Sequence, residues 1–495
     1  MFKSNNNSIQ TFWVALGSLS AFGLAIVSSA ILSRYLDKQE YGTYRQVIYV
    51  YTMLLVIFSA GLPKIFAFYL PRYSLSEGKA IVKKVSLVLI VCGLVFSFFL
   101  YFFAGIIAAI LGNNELERAL QIFSPVPVLL LPTLGIEGIF STYKKSVYIA
   151  IYNTVTRIIM LLFIVVPVVI FESSYIHALY GWIIASVFTL VLAFIFKGIP
   201  FKGIKNVKTD LRLKQILAYS LPLVMASLWG VAIKSSDSFY ISRYFGAEVF
   251  AEYANGFIDL PFVSMITSSI AVILTPIFSK QIHENSDKNL LLKSWRKTIE
   301  RSAILIYPLI IYFIIFSEDI IVFLFSNKYV NSSYYFRINL VFNFFNIIVF
   351  VPLFLATGRT KLYAKVHMFL AVIIWVTGYL VIILFNSPIA IAINSTIINI
   401  FKILIFVYLG SKILNIRFLS FFPFRKMGLS FLQSVLIMFP IYILESYLID
   451  IEQGIIKISV TFIMFCSLIL VTSSIFKIDY YSIIRPFFKK NKFLG

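Results

Sequence analysis

Cysteine, histidine and acidic residues are all scarce in this chain, and each scarcity removes a class of chemistry. The two cysteines, Cys92 and Cys466, sit inside apolar runs, so they offer no disulfide framework. His177, His283 and His367 are far apart in sequence and read as structural residues, without the spacing of a metal site. No His-Glu-x-x-His, Cys-x-x-Cys or Walker-type phosphate loop occurs, which leaves metal-dependent and ATP-driven mechanisms unsupported. No metal and no cofactor is therefore expected. Long polar stretches are missing too: the longest connections, 197–214 and 280–301, are too short for a soluble domain. Acids number 21 against 43 Lys and Arg, a net charge of +22.

What fills the chain instead is apolar. It is 60% hydrophobic with a mean hydropathy of +0.92, against about 45–50% apolar residues in ordinary soluble domains. Apolar runs of roughly 20 residues, enough to cross about 30 Å of hydrocarbon, recur from end to end. They lack the polar face at a 3.6-residue period that a soluble helical core requires. The sequence therefore predicts an all-α polytopic membrane protein with about 14 transmembrane helices. The first-half spans are 11–33, 44–70, 85–111, 119–141, 147–171 and 176–196. The second-half spans are 215–241, 253–279, 302–325, 334–356, 362–385 and 388–409, and two more follow at 428–448 and 455–475. With only Lys3 before it and no small-residue cleavage site, the first run reads as a retained helix.

Charge sets the orientation. With both termini inside, the inner loops gather most of the basic residues, among them Arg72, Lys79, Lys83, Lys84, Lys202, Lys205, Lys208, Lys293, Arg296, Lys297, Arg301, Arg425 and Lys426. The basic tail with Arg485, Lys489, Lys490 and Lys492 joins them. Cytoplasmic loops of membrane proteins carry this bias. Charge spread over every inner loop suits an anionic leaflet, so no nucleic-acid partner is needed to explain it. The 281–301 stretch has the composition of a short amphipathic surface helix or a plain connection.

The chain also repeats itself. Ser33-Arg34-Tyr35-Leu36, with Tyr41 and Tyr44, recurs at constant offset as Ser242-Arg243-Tyr244-Phe245, with Phe250 and Tyr253. Ser18, Leu19 and Ser29 meet Ser227, Leu228 and Ser238 at the same offset. Six spans separate the copies, so both halves keep one orientation, a parallel repeat about an axis along the membrane normal. The expected division is a six-helix lobe at 1–200, a second at 201–410, and two additional helices with a basic tail at 411–495. Pro125, Pro127, Pro132, Pro222, Pro261 and Pro276 fall within spans, as in helices that bend or break.

The opening segment, with Ser33-Arg34-Tyr35, Glu40-Tyr41-Gly42-Thr43-Tyr44 and Gly61-Leu62-Pro63, resembles the start of bacterial polysaccharide-biosynthesis flippases, the translocases of O-antigen and other lipid-linked oligosaccharides. Leu355-Ala-Thr-Gly-Arg-Thr-Lys361 is similar to that family's pattern as well, and the resemblance covers about residues 10–410. It implies the multidrug/oligosaccharidyl-lipid/polysaccharide exporter fold, two six-helix lobes around a cavity that opens to either side in turn. It implies transfer of an undecaprenyl-diphosphate-linked oligosaccharide from the cytoplasmic to the periplasmic leaflet of the inner membrane. Membrane lipids, and a glycan polymerase or chain-length protein, are the partners it implies.

Charged groups inside spans cost roughly 2.5–3.5 kcal/mol each on insertion scales, so each one asks for a reason. Lys234 and Asp237 stand i,i+3 on one face of the seventh span, and Asp259 falls in the eighth. The carboxylates are candidates for a coupling proton or cation and Lys234 for the diphosphate; the other reading is an ion pair locking two helices. The repeat places Ala25, Ser28 and Val50 at the equivalent positions. Arg157, near mid-span, either attracts an anionic substrate or pairs with Glu137. Lys64, after Gly-Leu-Pro, is a candidate phosphate contact, while Lys402 reads as snorkelling to the surface. Arg34 and Arg243 flank the outer mouth, as loop caps or as contacts for substrate release. Three rivals stand beside the flippase. A drug/cation antiporter of the same superfold would prefer a carboxylate-lined cavity, and charge alone does not separate a lipid II flippase from an O-antigen carrier. A membrane polysaccharide polymerase would need catalytic groups on a sizeable outer loop, where only scattered acids such as Glu115, Glu117, Glu172, Glu248 and Glu252 are found.

Overall fold

The computed structural model describes residues 7–171, 174–205, 207, 209–284, 287–448 and 454–480; Lys3, Glu172, Lys208 and the basic tail from 481 onward lie outside them. Every regular element among the described residues is helical. The chain divides into two compact units, Met1–Ala251 and Glu252–Gly495.

The first unit contains α1 (Asn7–Tyr35), α2 (Lys38–Phe58), α3 (Pro63–Tyr69), α4 (Leu75–Phe102) and α5 (Ala104–Leu111). It continues with α6 (Glu115–Phe123), α7 (Val126–Leu130), α8 (Ile136–Thr142), α9 (Val147–Phe171), α10 (Tyr175–Gly198) and most of α11 (Leu213–Gly256). Local chemistry sets the boundaries. Asp37 accepts the Glu40 amide and starts α2. Ser74 and Glu77 form a capping box at α4. The expected span 119–141 is a chain of short helices, because Pro125, Pro127 and Pro132 each remove a backbone donor. α9 packs against both α1 and α10. Gly181 of α10 lies directly on the Phe163 carbonyl of α9, where a Cβ has no room.

The second unit contains α12 (Pro261–His283), α13 (Lys288–Ile315), α14 (Ser317–Phe325), α15 (Ser332–Asn346) and α16 (Val351–Ala356). After these come α17 (Thr360–Phe385), α18 (Pro388–Leu414), α19 (Phe424–Leu448) and α20 (Gly454–Thr472). The element order of the first unit recurs here. Phe103, at φ −98° and ψ 6°, separates α4 from α5, and Phe316, at φ −92° and ψ 22°, separates α13 from α14. A broken helix and then a long helical pair follow in each unit.

Twelve helices among the described residues are long and apolar enough to cross a membrane, as befits a multi-pass membrane protein. Two of the fourteen expected spans differ in form. The 215–241 stretch is part of α11, a longer element bent at Gly246, where φ of 80° and ψ of −178° suit only glycine. The 334–356 stretch is split, because Pro352 cannot donate to the Ile348 carbonyl and its ring crowds that group. Residues 302–315 belong to α13, which starts at Lys288, so most of the expected 281–301 connection is helix.

α11 up to Ala251 belongs with the first unit: Ile216, Leu211 and Phe201 join the core of Leu62, Phe66, Leu70 and Ile81. Lys84 and Lys79 hold the connection to α11 by donating to the Leu211 and Ile204 carbonyls at 2.6 and 2.7 Å. The last two helices share a core with α13, where Ile437, Met438, Phe465 and Ile469 meet Ile304, Ile311 and Tyr312.

Gly181→Leu should separate α9 from α10 and cost about 1–3 kcal/mol. Thermal unfolding of the purified protein in detergent should fall by several degrees, whereas Gly428→Leu, which meets open space, should leave it unchanged.

Candidate functional site

α2 organises the interior of the first unit. Its Tyr41, Tyr44, Gln46, Val47, Val50 and Tyr51 are all buried. Near its start, Asn113 donates to Thr43 Oγ1 at 2.9 Å and to Gln46 Oε1 at 2.6 Å. Gln46 in turn donates to Ser242 Oγ of α11 at 2.8 Å. Gly42 lies against the Ala247 carbonyl, too close for any larger residue. This polar seam joins α2, the α5–α6 turn and α11 at one end of the unit.

Arg157 stands ten residues into α9, about 15 Å along the helix and hence near mid-membrane. Among the described residues its Nη1 reaches Met160 Sδ, at 3.7 Å. Tyr51 of α2 and Tyr152 of α9 are its electrostatic neighbours, and no carboxylate is among them. Tyr51 is fixed by stacking on Phe96, with centroids 5.8 Å apart, and by an edge contact with Phe123 at 5.4 Å. Glu137 accepts instead from Asn153 at 3.4 Å, so the structure does not bring Glu137 and Arg157 together. The Arg157 side chain is accessible.

The other expected site residues are placed as follows. Lys64 is exposed in the first turn of α3, with no carboxylate partner among the described residues. Lys234 is exposed and Asp237 buried, one turn apart on α11. Asp237 accepts the Ser238 amide at 2.9 Å and interacts with Tyr49 of α2, whose hydroxyl donates to the Ser235 carbonyl at 3.1 Å. Asp259 belongs to the second unit and lies outside any helix: 257–260 is extended or bent, because Pro261 opens α12 and disfavours helix at the residue before it. Asn339 holds that break by donating to the Ile258 carbonyl at 2.7 Å. Arg34 is exposed in the last turn of α1. Arg243 donates to the Ala109 carbonyl at 2.6 Å, tying α11 to α5.

Three polar groups escaped the sequence reading. Arg45, expected at the rim of a loop, is two turns inside α2 and donates to Ser29 Oγ of α1 at 3.2 Å. The Asp37-to-Glu40 capping pattern was the signal for that earlier helix start. Lys197, expected in a cytoplasmic loop, is buried and donates to the Pro132 carbonyl at 2.6 Å and Ser86 Oγ at 3.1 Å. Glu252, expected in an outer loop, is buried near Tyr335 and accepts from Asn331 at 3.3 Å. Among the described residues no three His, Cys, Asp or Glu side chains cluster as metal ligands do.

The polysaccharide biosynthesis protein family model matches residues 10–282, more than half of the chain. This chain belongs to that family. Among solved structures, this polysaccharide biosynthesis protein is similar to the lipid II flippase MurJ in an inward closed conformation, at 17% identity and a TM-score of 0.68, over 97% of this chain and 99% of that one. It is similar to an inward-facing multidrug resistance MATE family transporter of the MOP superfamily, at 13% identity and 0.63, over 81% of this chain and 98% of that one. A MOP superfamily transporter from Pyrococcus furiosus gives 14% identity and 0.57, over 82% and 94%. The fold is therefore that of the MOP superfamily, with repeated lobes. No curated protein matches the sequence.

The seam on α2 makes its own prediction. Asn113→Leu leaves the Gln46 and Thr43 oxygens without their buried donor, at a cost of about 1–3 kcal/mol. Exchange of the amides around 43–46 should rise in hydrogen–deuterium measurements, with the far end of α2 unaffected.

Proposed function

We propose that this polysaccharide biosynthesis protein is a flippase for an undecaprenyl-diphosphate-linked oligosaccharide. It moves the headgroup by alternating access from the cytoplasmic to the periplasmic leaflet of the bacterial inner membrane, with both termini cytoplasmic. The product feeds O-antigen, capsule or exopolysaccharide assembly, where a polymerase or chain-length protein takes it up.

Arg157 carries this reading. A guanidinium deep in a span, with no carboxylate partner among the described residues, is costly unless an anion visits it. A diphosphate fits the planar donor fork, which grips phosphate oxygens in pairs. Lys64 and Lys234 add point charges for the same group. A cationic drug would be repelled by Arg157, which counts against the antiporter. Arg34 and Arg243 are release contacts at the far mouth, and Arg243 must first give up the Ala109 carbonyl. Asp237, buried beside Tyr49, is the coupling carboxylate of the first unit, and Asp259 its counterpart in the second.

One observation favours a second reading, flipping of lipid II. The similarity to MurJ extends over 97% of this chain, whereas the two MOP transporters cover 81% and 82%. Deletion in the host separates the readings. Loss of one surface glycan in a viable strain, with precursor held on the cytoplasmic side, supports the oligosaccharide carrier. Arrest of peptidoglycan synthesis supports lipid II. Precursor already flipped but unpolymerised overturns both.

Complementation tests the site itself. Charged hydrogen bonds contribute about 1.5–3 kcal/mol, so Arg157→Ala should lower surface glycan roughly tenfold or more at equal expression. Arg157→Lys should keep part of it. Asp237→Asn should leave precursor binding intact while abolishing the response of flipping to an imposed proton or sodium gradient; an unchanged response would show that Asp237 is structural.

A further inference from the structure

We propose that a basic cavity in the second unit binds the phosphate headgroup of an anionic membrane phospholipid. The cavity holds about 840 Å³ between the first turns of α13 and the start of α19. Lys293, Arg296, Lys297 and Arg301 line it from α13, and their spacing puts them on one helical face. Arg425 and Lys426 close it from α19. Two acids, Glu300 and Asp479, line it as well.

Six cations against two acids leave the cavity positively charged. Lys426 is held by the Lys477 carbonyl at 2.8 Å. Lys293, Arg296, Lys297, Arg301 and Arg425 have no carboxylate oxygen within 4.0 Å among the described residues. Cations gathered around one hollow repel one another, and an anion seated there removes that cost. Surface ion pairs do not build a shared hollow of this kind.

The position selects a lipid over a soluble anion. Both helices are candidate membrane spans, and the cations occupy the polar first half of α13 and the first turn of α19, ahead of the apolar stretch that begins near Ala303. The Lys and Arg bias assigns this end to the cytoplasm, where anionic headgroups attract basic pockets between helices. Apolar surface adjoins the cavity: Ile304, Leu292 and Pro423 line it, and Phe424, next to Arg425, is 56% exposed. A headgroup in the hollow would leave its acyl chains along α19, whose Phe431, Leu432, Val435 and Phe439 are exposed. Neither Arg157 nor the transport cycle is involved in this cavity, so lipid binding there is independent of the flippase reading.

The test is native mass spectrometry of the delipidated full chain, titrated with phosphatidylglycerol, cardiolipin or phosphatidylcholine. Anionic lipid should bind roughly tenfold or more tightly than the zwitterionic one. Arg296→Gln with Arg301→Gln should remove that preference, as should Lys293→Gln with Arg425→Gln if the first pair fails to fold. Lys361→Gln with Lys365→Gln, an exposed basic pair elsewhere, should retain it. Equal binding of both lipid classes, or a preference that survives both cavity variants, overturns the proposal. Displacement of bound lipid by millimolar inorganic pyrophosphate overturns it in favour of a soluble anion.

Discussion

A backbone group that loses its helical partner in hydrocarbon has no water to turn to, and the rest of this structure is arranged around that constraint. The chain breaks its helices repeatedly, and long polar side chains meet the freed groups. Ser97 accepts the Val128 amide beside Pro127, at 3.1 Å. Lys197 takes the Pro132 carbonyl, Asn339 the Ile258 carbonyl and Tyr307 the Phe344 carbonyl. Arg243 does the same for Ala109 after the Phe103 bend. These breaks allow helices to bend without unfolding, so the requirement for satisfaction is tied to where the helices can bend.

The same constraint sorts the charges into two kinds. Lys457 of α20 is closed: it meets Glu445 of α19 at 2.6 Å and Asp319 of α14 at 3.0 Å, a triad that binds three helices together. Lys197 is closed as well, with its ammonium 5.2 Å from the Phe66 ring in addition to its hydrogen bonds. Arg157 is open: its Nη1 meets the Met160 thioether, and among the described residues no carboxylate pairs with it. Closed charges hold a structure, because removing either partner strands the other. An open one is justified by what comes to it.

Much of the fold was legible because length and apolarity are written directly in the chain. The helix pairs α9–α10 and α17–α18 lie close to the expected spans, and the repeat of Ser33-Arg34-Tyr35 in Ser242-Arg243-Tyr244 anticipated the repeated element order. What hydropathy does not report is where backbone hydrogen bonding stops. The breaks at 257–260 and 347–350 lie within apolar sequence and are set by Pro261 and Pro352. The polar first turns of α13 read as a loop because hydropathy measures depth in the membrane, and a helix continues past the hydrocarbon. Of the site, the position of Arg157 could be read, but its freedom from Glu137 depends on side-chain directions that spacing does not contain. Lys197 went the other way: a lysine at a span end reads as cytoplasmic until three helices are found to enclose it.

The two units therefore use one scaffold for different electrostatic purposes. The first carries its open cation deep in the membrane, while the second pairs Lys457 within and collects its unpaired cations at headgroup depth. The repeat copies differ in charge as well: Lys234 and Asp237 of α11, which groups with the first unit, answer to Ala25 and Ser28 of α1. Helix packing tolerates this divergence because the repeat is held by apolar contacts and by backbone satisfaction, which any residue of the right size or donor reach can supply. Charge is then free to vary between copies. On the reading proposed above, a diphosphate crossing the bilayer would be met in mid-membrane, whereas a phospholipid presents its phosphate at the surface. The depth of an unpaired cation is thus itself a statement about its ligand.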